Sequence, residues 1–225
     1  MADPYIISVL GQKGGVGKST IARMLGEQFA RMDDGGWEVK IADLDVAQST
    51  SWNWMRRRAA NGYTPAIRVE TMTLDKALKD ARFFHVMILD CPGFATRDTL
   101  QAATASKLVV VPSGIGTDDL EPTVRVLHDL KKGGVEKQRI VVLLTKVGDS
   151  AVEIQQARDY FEEAGYYVAN TTLKDATLYR RALDVGQTLT EVKHKGLADR
   201  ARQVFVELIE RLTQAEPASK KENAA

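Results

Sequence analysis

The stretch "YIISVLGQKGGVGKSTIARMLGEQFARM", residues 5–32, constrains the fold more than any other part of the chain. Its first six residues form a short apolar, β-branched run that ends at glycine, the pattern of a buried strand. Ile21, Met24, Leu25 and Phe29 then recur at helical spacing. Between the two lies a glycine-rich turn followed by Lys18 and Ser19. A strand that passes through such a turn into a helix N-terminus makes an anion site, because free backbone N–H groups and the helix dipole converge there. Gly14, Gly15 and Gly17 let the backbone approach phosphates with no Cβ in the way. Lys18 reaches toward β- and γ-phosphates, and the Ser19 hydroxyl suits Mg²⁺. The phosphate-loop pattern G-x-x-x-x-G-K-[ST] is met except at its first position, which is Gln12. The residues that touch phosphate are the later ones, so the departure leaves the site intact. A second lysine, Lys13, remains to be explained.

Further strands read from apolar runs: "EVKIADLD", a weaker "AIRVE", then "FHVMILDC", "KLVVVPS", "RIVVLLTKV" and "YYVAN". Amphipathic helical stretches such as "DLEPTVRVLHDLKK" and "AVEIQQARDYFEEAG" separate them. Alternating helices and continuously apolar strands predict an α/β fold, a mostly parallel sheet with helices on both faces. A length of 225 residues predicts one domain, residues 1–213, followed by a polar tail, 214–225. Lys and Arg total 31 against 30 Asp and Glu, a net charge of +1, so any nucleic-acid contact must come from a local basic patch. The single cysteine, Cys91, excludes a disulfide framework or a cysteine-ligated cluster within one chain. No apolar run is long enough to span a bilayer, and the N-terminus lacks the charged region and cleavage site of a signal peptide. The expectation is a cytoplasmic protein.

In "VMILDCPG", Asp90 stands at the carboxyl end of an apolar strand. Such a carboxylate points into the crevice where open α/β sheets bind ligands, and Asp90 would hold Mg²⁺ there through water. The box "KGGVGKST", residues 13–20, resembles the deviant Walker A motif of the ParA/MinD family of ATPases, a P-loop NTPase group, and the resemblance runs from Ile6 to about Leu212. It implies ATP and Mg²⁺ as cofactors, with Lys13, Gly14, Gly15, Val16, Gly17, Lys18, Ser19 and Thr20 around the nucleotide. It also implies a role for Lys13, which in the family reaches across an ATP-sandwich dimer to the partner's nucleotide. A second cation there would stabilise charge developing on the transferred group, as an arginine finger does. "IADLDVAQST" resembles the family's second box. By that match Asp45 orients or activates the attacking water, and Asp43 lies nearer the Mg²⁺ shell with Ser19 and Asp90. Val46 and Ala47 replace the family's proline and glutamine after Asp45, and Gln48 comes one place late. Gly93, after Asp90, would let the following segment move with the γ-phosphate.

The family spans several functions, and the rest of the chain discriminates among them. One cysteine does not suit a nitrogenase-type iron protein. The last helix, "LADRARQVFVELIERLTQ", has an apolar stripe at Val204, Phe205, Leu208, Ile209 and Leu212 and mixed charges elsewhere, which reads as a helix docked on the sheet rather than on a membrane. The chain is most similar to short ParA proteins, which lack an N-terminal helix-turn-helix domain. In these, basic residues near the C-terminal end bind DNA without sequence preference; Arg180, Arg181, Lys193 and Lys195 are the candidates here. The resemblance thus implies a slow, partner-stimulated ATPase that forms a homodimer with ATP, holds nonspecific DNA on the nucleoid, and answers to a ParB-like adaptor. Its cargo is left open among plasmid, chromosome and protein assembly. A MinD-like membrane regulator and a metabolic P-loop enzyme remain as alternatives. "SWNWMRRR" admits two readings: a helix with Trp52 and Met55 buried and its arginines in water, or a partner- or DNA-contacting surface. His85, His128 and His194 have no metal-ligand spacing and read as structural.

Overall fold

The computed structural model describes residues 3–32, 36–93 and 97–214. Its sheet contains β1 (Tyr5–Val9), β2 (Val39–Asp43), β3 (Arg68–Thr71), β4 (Val86–Asp90), β5 (Leu108–Ser113) and β6 (Ile140–Leu144). All pairings are parallel, in the order β3-β2-β4-β1-β5-β6. The helices are α1 (Lys18–Arg31), α2 (Thr50–Ala60), α3 (Leu74–Asp80), α4 (Arg97–Ala105), α5 (Thr117–Lys132), α6 (Ala151–Glu163), α7 (Thr177–Asp184) and α8 (Lys195–Gln214).

Every residue of β2, β4, β5 and β6 is buried, which is why these strands read as continuous apolar runs rather than alternating ones. The alternation is between two cores. Ile7, Val9, Ile41, Val86, Ile88, Leu108, Val110, Val141 and Leu143 share one core with Phe29 of α1, Trp54 of α2 and Leu208 of α8. Their neighbours Met87, Leu89, Val109, Val111, Val142 and Leu144 face the other, with Leu127 of α5 and Phe161 of α6. A period-2 strand sandwiched between helices on both faces produces this division.

The stripe foreseen on α8 is buried at Val204, Phe205, Leu208 and Leu212 and half-buried at Ile209; Phe205 meets Phe29 edge-on at 5.1 Å. Two expectations are corrected. "YYVAN" is not a regular seventh strand. It touches β6 through one bridge, Val142 to Val168, and the chain returns where the Leu173 N–H donates to Leu144 O at 3.0 Å and Lys174 bridges to Val147. Lys146 interrupts the ladder with a left-handed backbone, φ 53°. In "SWNWMRRR" the fully buried residues are Ser51, Trp54 and Arg58, whereas Trp52 and Met55 are half-buried and Arg56 and Arg57 exposed. The histidines make local contacts: His85 Nδ1 accepts from the Glu38 N–H at 2.9 Å, His194 Nδ1 from Leu197 N–H at 3.3 Å, and the His128 ring lies 5.8 Å from that of Tyr166. Tail residues 215–225 and the segment 94–96 after Gly93 lie outside the described residues. No described helix is long and apolar enough to cross a membrane.

The strand order fixes where a ligand can sit. The chain leaves β1 toward β2 on one side and leaves β4 toward β5 on the other. The loops after β1 and β4 therefore part, and a crevice opens between them at the carboxyl edge of the sheet.

Candidate nucleotide site

The loop after β1 occupies that crevice. Gly15 and Gly17 have φ values of 79° and 98°, a region in which a side chain would strain the backbone. Cβ atoms built on Gly14, Gly15 and Gly17 would meet nothing within 4 Å, so the loop is curled around open space rather than packed against protein. Thr145, just past β6, buttresses it by donating its hydroxyl to the Val16 carbonyl at 2.8 Å.

Lys18 opens α1 and is largely buried. Its ammonium donates to the carbonyl of Lys13 at 2.9 Å, which folds the side chain back over the loop. Burial lowers its pKa, and the nearby charges of Asp90 and Asp45 oppose that shift. The Ser19 hydroxyl donates to Asp90 Oδ1 at 3.1 Å and lies 3.0 Å from the Thr50 hydroxyl. Asp90 is pushed up to about 6 by burial and by the charge of Asp43, although hydrogen bonds from Ser51 and Ser19 resist. Asp43 sits directly across from Asp90 in the β2–β4 register.

The two carboxylates of "DLD" have separate surroundings. Asp43 Oδ2 accepts the N–H groups of Ser51 at 2.8 Å and Trp52 at 3.2 Å, and its Oδ1 accepts that of Asp45 at 3.3 Å. Burial raises its pKa against those three bonds. Asp43 thus holds the first turn of α2 from the end of β2, with both oxygens accepting backbone N–H groups, while Ser49 occupies the N-cap position itself. Asp45 is half-buried in the following loop and accepts the Gln48 N–H at 3.1 Å.

Lys13 is turned away from its own phosphate loop. Its ammonium pairs with Asp119 at 2.7 Å and donates to the Asp118 carbonyl at 3.3 Å, and the side chain remains 45% exposed. That carbonyl is available because Pro122, four residues on within α5, has no N–H to offer it.

These elements frame a cavity of about 410 Å³. One end is lined by Gly14 to Ile21, Arg23, Asp45, Gln48, Thr50 and Gly93. The cavity is also lined by Thr145, against the loop, and by Lys146, Leu173 to Ala176, Tyr179, Arg180, Leu183 and Leu189. Arg180 therefore borders the cavity, where it pairs with Asp175 and donates to the Thr177 hydroxyl at 3.0 Å. The structure separates it from the other basic candidates. Arg181, Lys193 and Lys195 are exposed, and none has an ion-pair partner among the described residues.

The residues present fit a nucleotide with a hard divalent cation. The glycine cradle is open, Lys18 has no ion-pair partner among the described residues, and Ser19 and Asp90 offer hard oxygen donors. No group of three or more His, Cys, Asp or Glu able to hold an ion occurs among the described residues. An ion at Ser19 must therefore complete its shell from phosphate and water, the usual arrangement for Mg²⁺. The sequence pointed to the loop, to Asp45 and to Asp90. It did not reveal Thr50, Ser51, Arg23 or Thr145, which carry no motif and act only through the fold.

Comparison with known proteins agrees with this geometry. The family model for the CobQ/CobB/MinD/ParA nucleotide binding domain matches residues 7–189. The maintenance of carboxysome distribution protein A of Gloeobacter kilaueensis is 26% identical over 194 residues, which cover 85% of this chain and 87% of that protein. Among solved structures, the septum site-determining protein MinD of Pyrococcus horikoshii in complex with Mg-ADP superposes with a TM-score of 0.71 at 16% identity, covering 96% of this chain and 99% of that one. An ATP complex of Cyanothece McdA gives 0.71 at 16% identity, covering 92% and 97%. Cobyrinic acid a,c-diamide synthase of Mycobacterium smegmatis, with an ATP analogue and magnesium, gives 0.60 at 20% identity, covering 88% and 92%. The fold alone is thus shared by positioning ATPases and a biosynthetic enzyme.

Proposed function

Because this chain belongs to the CobQ/CobB/MinD/ParA nucleotide-binding family, we propose that it is an ATP-dependent positioning switch of ParA type. One observation carries the reading: Lys18, Ser19 and Asp90 converge on an open glycine cradle at one end of the cavity, while Lys13 points out of it. The N–H groups of residues 14–20 and the Lys18 ammonium bind the β- and γ-phosphates of ATP. Ser19 and Asp90 hold Mg²⁺, which neutralises phosphate charge when bound. Asp43 fixes the first turn of α2 behind them, in place of the ion-shell role the resemblance implied. Asp45, at the cavity rim, orients the attacking water. The mixed lining at the far end, from Lys146 to Leu189, receives the nucleoside.

Lys13 is the residue that a partner subunit completes. Released from Asp119, it has the reach and exposure to meet the nucleotide of a second copy, so ATP locks two subunits face to face. The dimer then presents two sets of Arg181, Lys193 and Lys195 to DNA phosphates. Doubling the contacts steepens the salt dependence, because each contact releases counterions. An adaptor protein stimulates hydrolysis and release, and the switch works in the cytoplasm on the nucleoid. The Gloeobacter relative, named for carboxysome distribution, favours a protein assembly as cargo over a plasmid.

The test is a mobility-shift titration of duplex DNA with ATP, with ADP and without nucleotide, at two salt concentrations. Binding with ATP only, falling steeply with salt and indifferent to sequence, is expected. Equal affinity in all three states, or none, refutes the DNA-held switch. A membrane regulator would instead pellet with anionic liposomes, and a metabolic enzyme would do neither.

A further inference from the structure

Ser51 is fully buried in the first turn of α2, yet its N–H and its hydroxyl both meet residues of the site. Its N–H is capped by Asp43 Oδ2. Its hydroxyl donates its one proton to Asp90 Oδ2 at 2.6 Å and accepts from Arg23 Nε at 3.1 Å. Arg23 is itself buried, and its guanidinium lies 5.7 Å from the centre of the Trp54 ring, so it is held from the other side. Asp90 therefore has its two oxygens divided: Oδ1 meets Ser19, and Oδ2 is anchored by Ser51. A carboxylate fixed at one oxygen has a fixed plane and a fixed direction for the other.

We infer that Ser51, itself fixed by Arg23, is a positioning residue that aims Asp90 at the Mg²⁺ of the nucleotide site. The inference rests on the nucleotide reading above. Buried Arg23 also supplies the positive charge that lets Asp43 and Asp90 face each other across β2 and β4 before an ion arrives. A merely structural serine would need one partner. Here the hydroxyl joins a donor from α1 to an acceptor at the end of β4, and that acceptor is Asp90 of the ion site. Partners that orient metal ligands typically change metal affinity 10–100-fold when removed.

The experiment titrates Mg²⁺ into the full chain with a fluorescent ADP analogue, after first measuring its affinity in EDTA. Ser51→Ala is expected to keep the EDTA affinity within about twofold and to raise the apparent Mg²⁺ dissociation constant at least about tenfold. Ser51→Thr, which keeps the hydroxyl, is expected to restore most of the loss. Arg23→Met should shift the constant the same way, and it carries the test if Ser51→Ala does not fold. Unchanged Mg²⁺ dependence in a folded Ser51→Ala or Arg23→Met protein overturns the inference. So does an equal loss in EDTA, which would mean a role in shaping the loop alone. If the wild-type protein binds the analogue without any Mg²⁺ response, the ion site itself is wrong, a separate failure.

Discussion

Arg58→Ala is expected to be among the most destabilising single changes in this chain. The side chain is 1% exposed and makes five hydrogen bonds. Nε donates to Pro65 O at 3.0 Å, one terminal nitrogen to Gly186 O at 3.0 Å and to Glu191 at 2.7 Å, and the other to Thr64 O and Glu191, both at 2.9 Å. Truncation leaves three carbonyls and one carboxylate short of a donor. Breaking a buried ion pair costs roughly 3–5 kcal/mol, since one partner is left uncompensated. Arg31 still reaches Glu191 at 2.9 Å and Thr64 O at 2.8 Å and moderates the loss, while the Pro65 and Gly186 carbonyls, which lose their Arg58 donor, add to it. A net of about 4 kcal/mol follows, a fall in melting temperature of roughly 8–16 °C at this chain length. Arg57→Ala, one residue away and exposed, should stay within about 0.5 kcal/mol. Acid adds a second signature. Burial works to raise the pKa of Glu191, but hydrogen bonds from Arg58 and Thr188 and the charges of Arg58 and Arg31 outweigh it and hold the group below its ordinary 4.5. The resulting stability is present above pH 4.5 and is lost as pH falls through the lower folded value. The gap between wild type and Arg58→Ala should therefore narrow in that acid window. Urea and thermal melts by circular dichroism measure both effects. A melting shift no larger than that of Arg57→Ala would refute the argument.

Three further outcomes are expected. Lys18→Ala should weaken ATP binding about 100-fold, the loss of charged hydrogen bonds worth roughly 3 kcal/mol, as read by calorimetry. Asp45→Ala should cut turnover by about 10²-fold while ATP-bound dimer accumulates, because the water loses its orienting group but the phosphate contacts stay; a wild-type rate would remove Asp45 from the mechanism. Gly186→Ala should destabilise by about 3 kcal/mol, since φ is 89° and the new Cβ would lie 2.3 Å from the Arg58 nitrogen, which denaturant melts will report.

What was legible in the sequence was what is local along the chain. The phosphate loop, its flanking strand and helix, and Asp90 at a strand end are contiguous patterns whose physics does not depend on distant residues. The parallel sheet was legible for the same reason, from apolar runs separated by amphipathic ones. Burial in "SWNWMRRR" was not. Trp52 and Met55 are three apart and Trp54 and Arg58 four apart, and an arginine on the second stripe makes it look solvated. Arg58 is buried because Glu191, 133 residues later, meets it. Arg180 likewise looked like one of a basic pair until α7 placed it at the cavity and Asp175 took its charge. Ser51 and Arg23 are ordinary residues in sequence and become a relay only when α1, α2 and β4 meet.

The proposed joining of two copies of this chain by ATP depends on Lys13. Light scattering on size-exclusion eluates tests it most directly, with Asp45→Ala to slow hydrolysis and with that change combined with Lys13→Ala. The account predicts a doubled mass for Asp45→Ala with ATP, monomer with ADP, and monomer for the double variant despite undiminished nucleotide binding. A double variant that still doubles its mass with ATP, or an Asp45→Ala protein whose mass ignores the nucleotide, would contradict it.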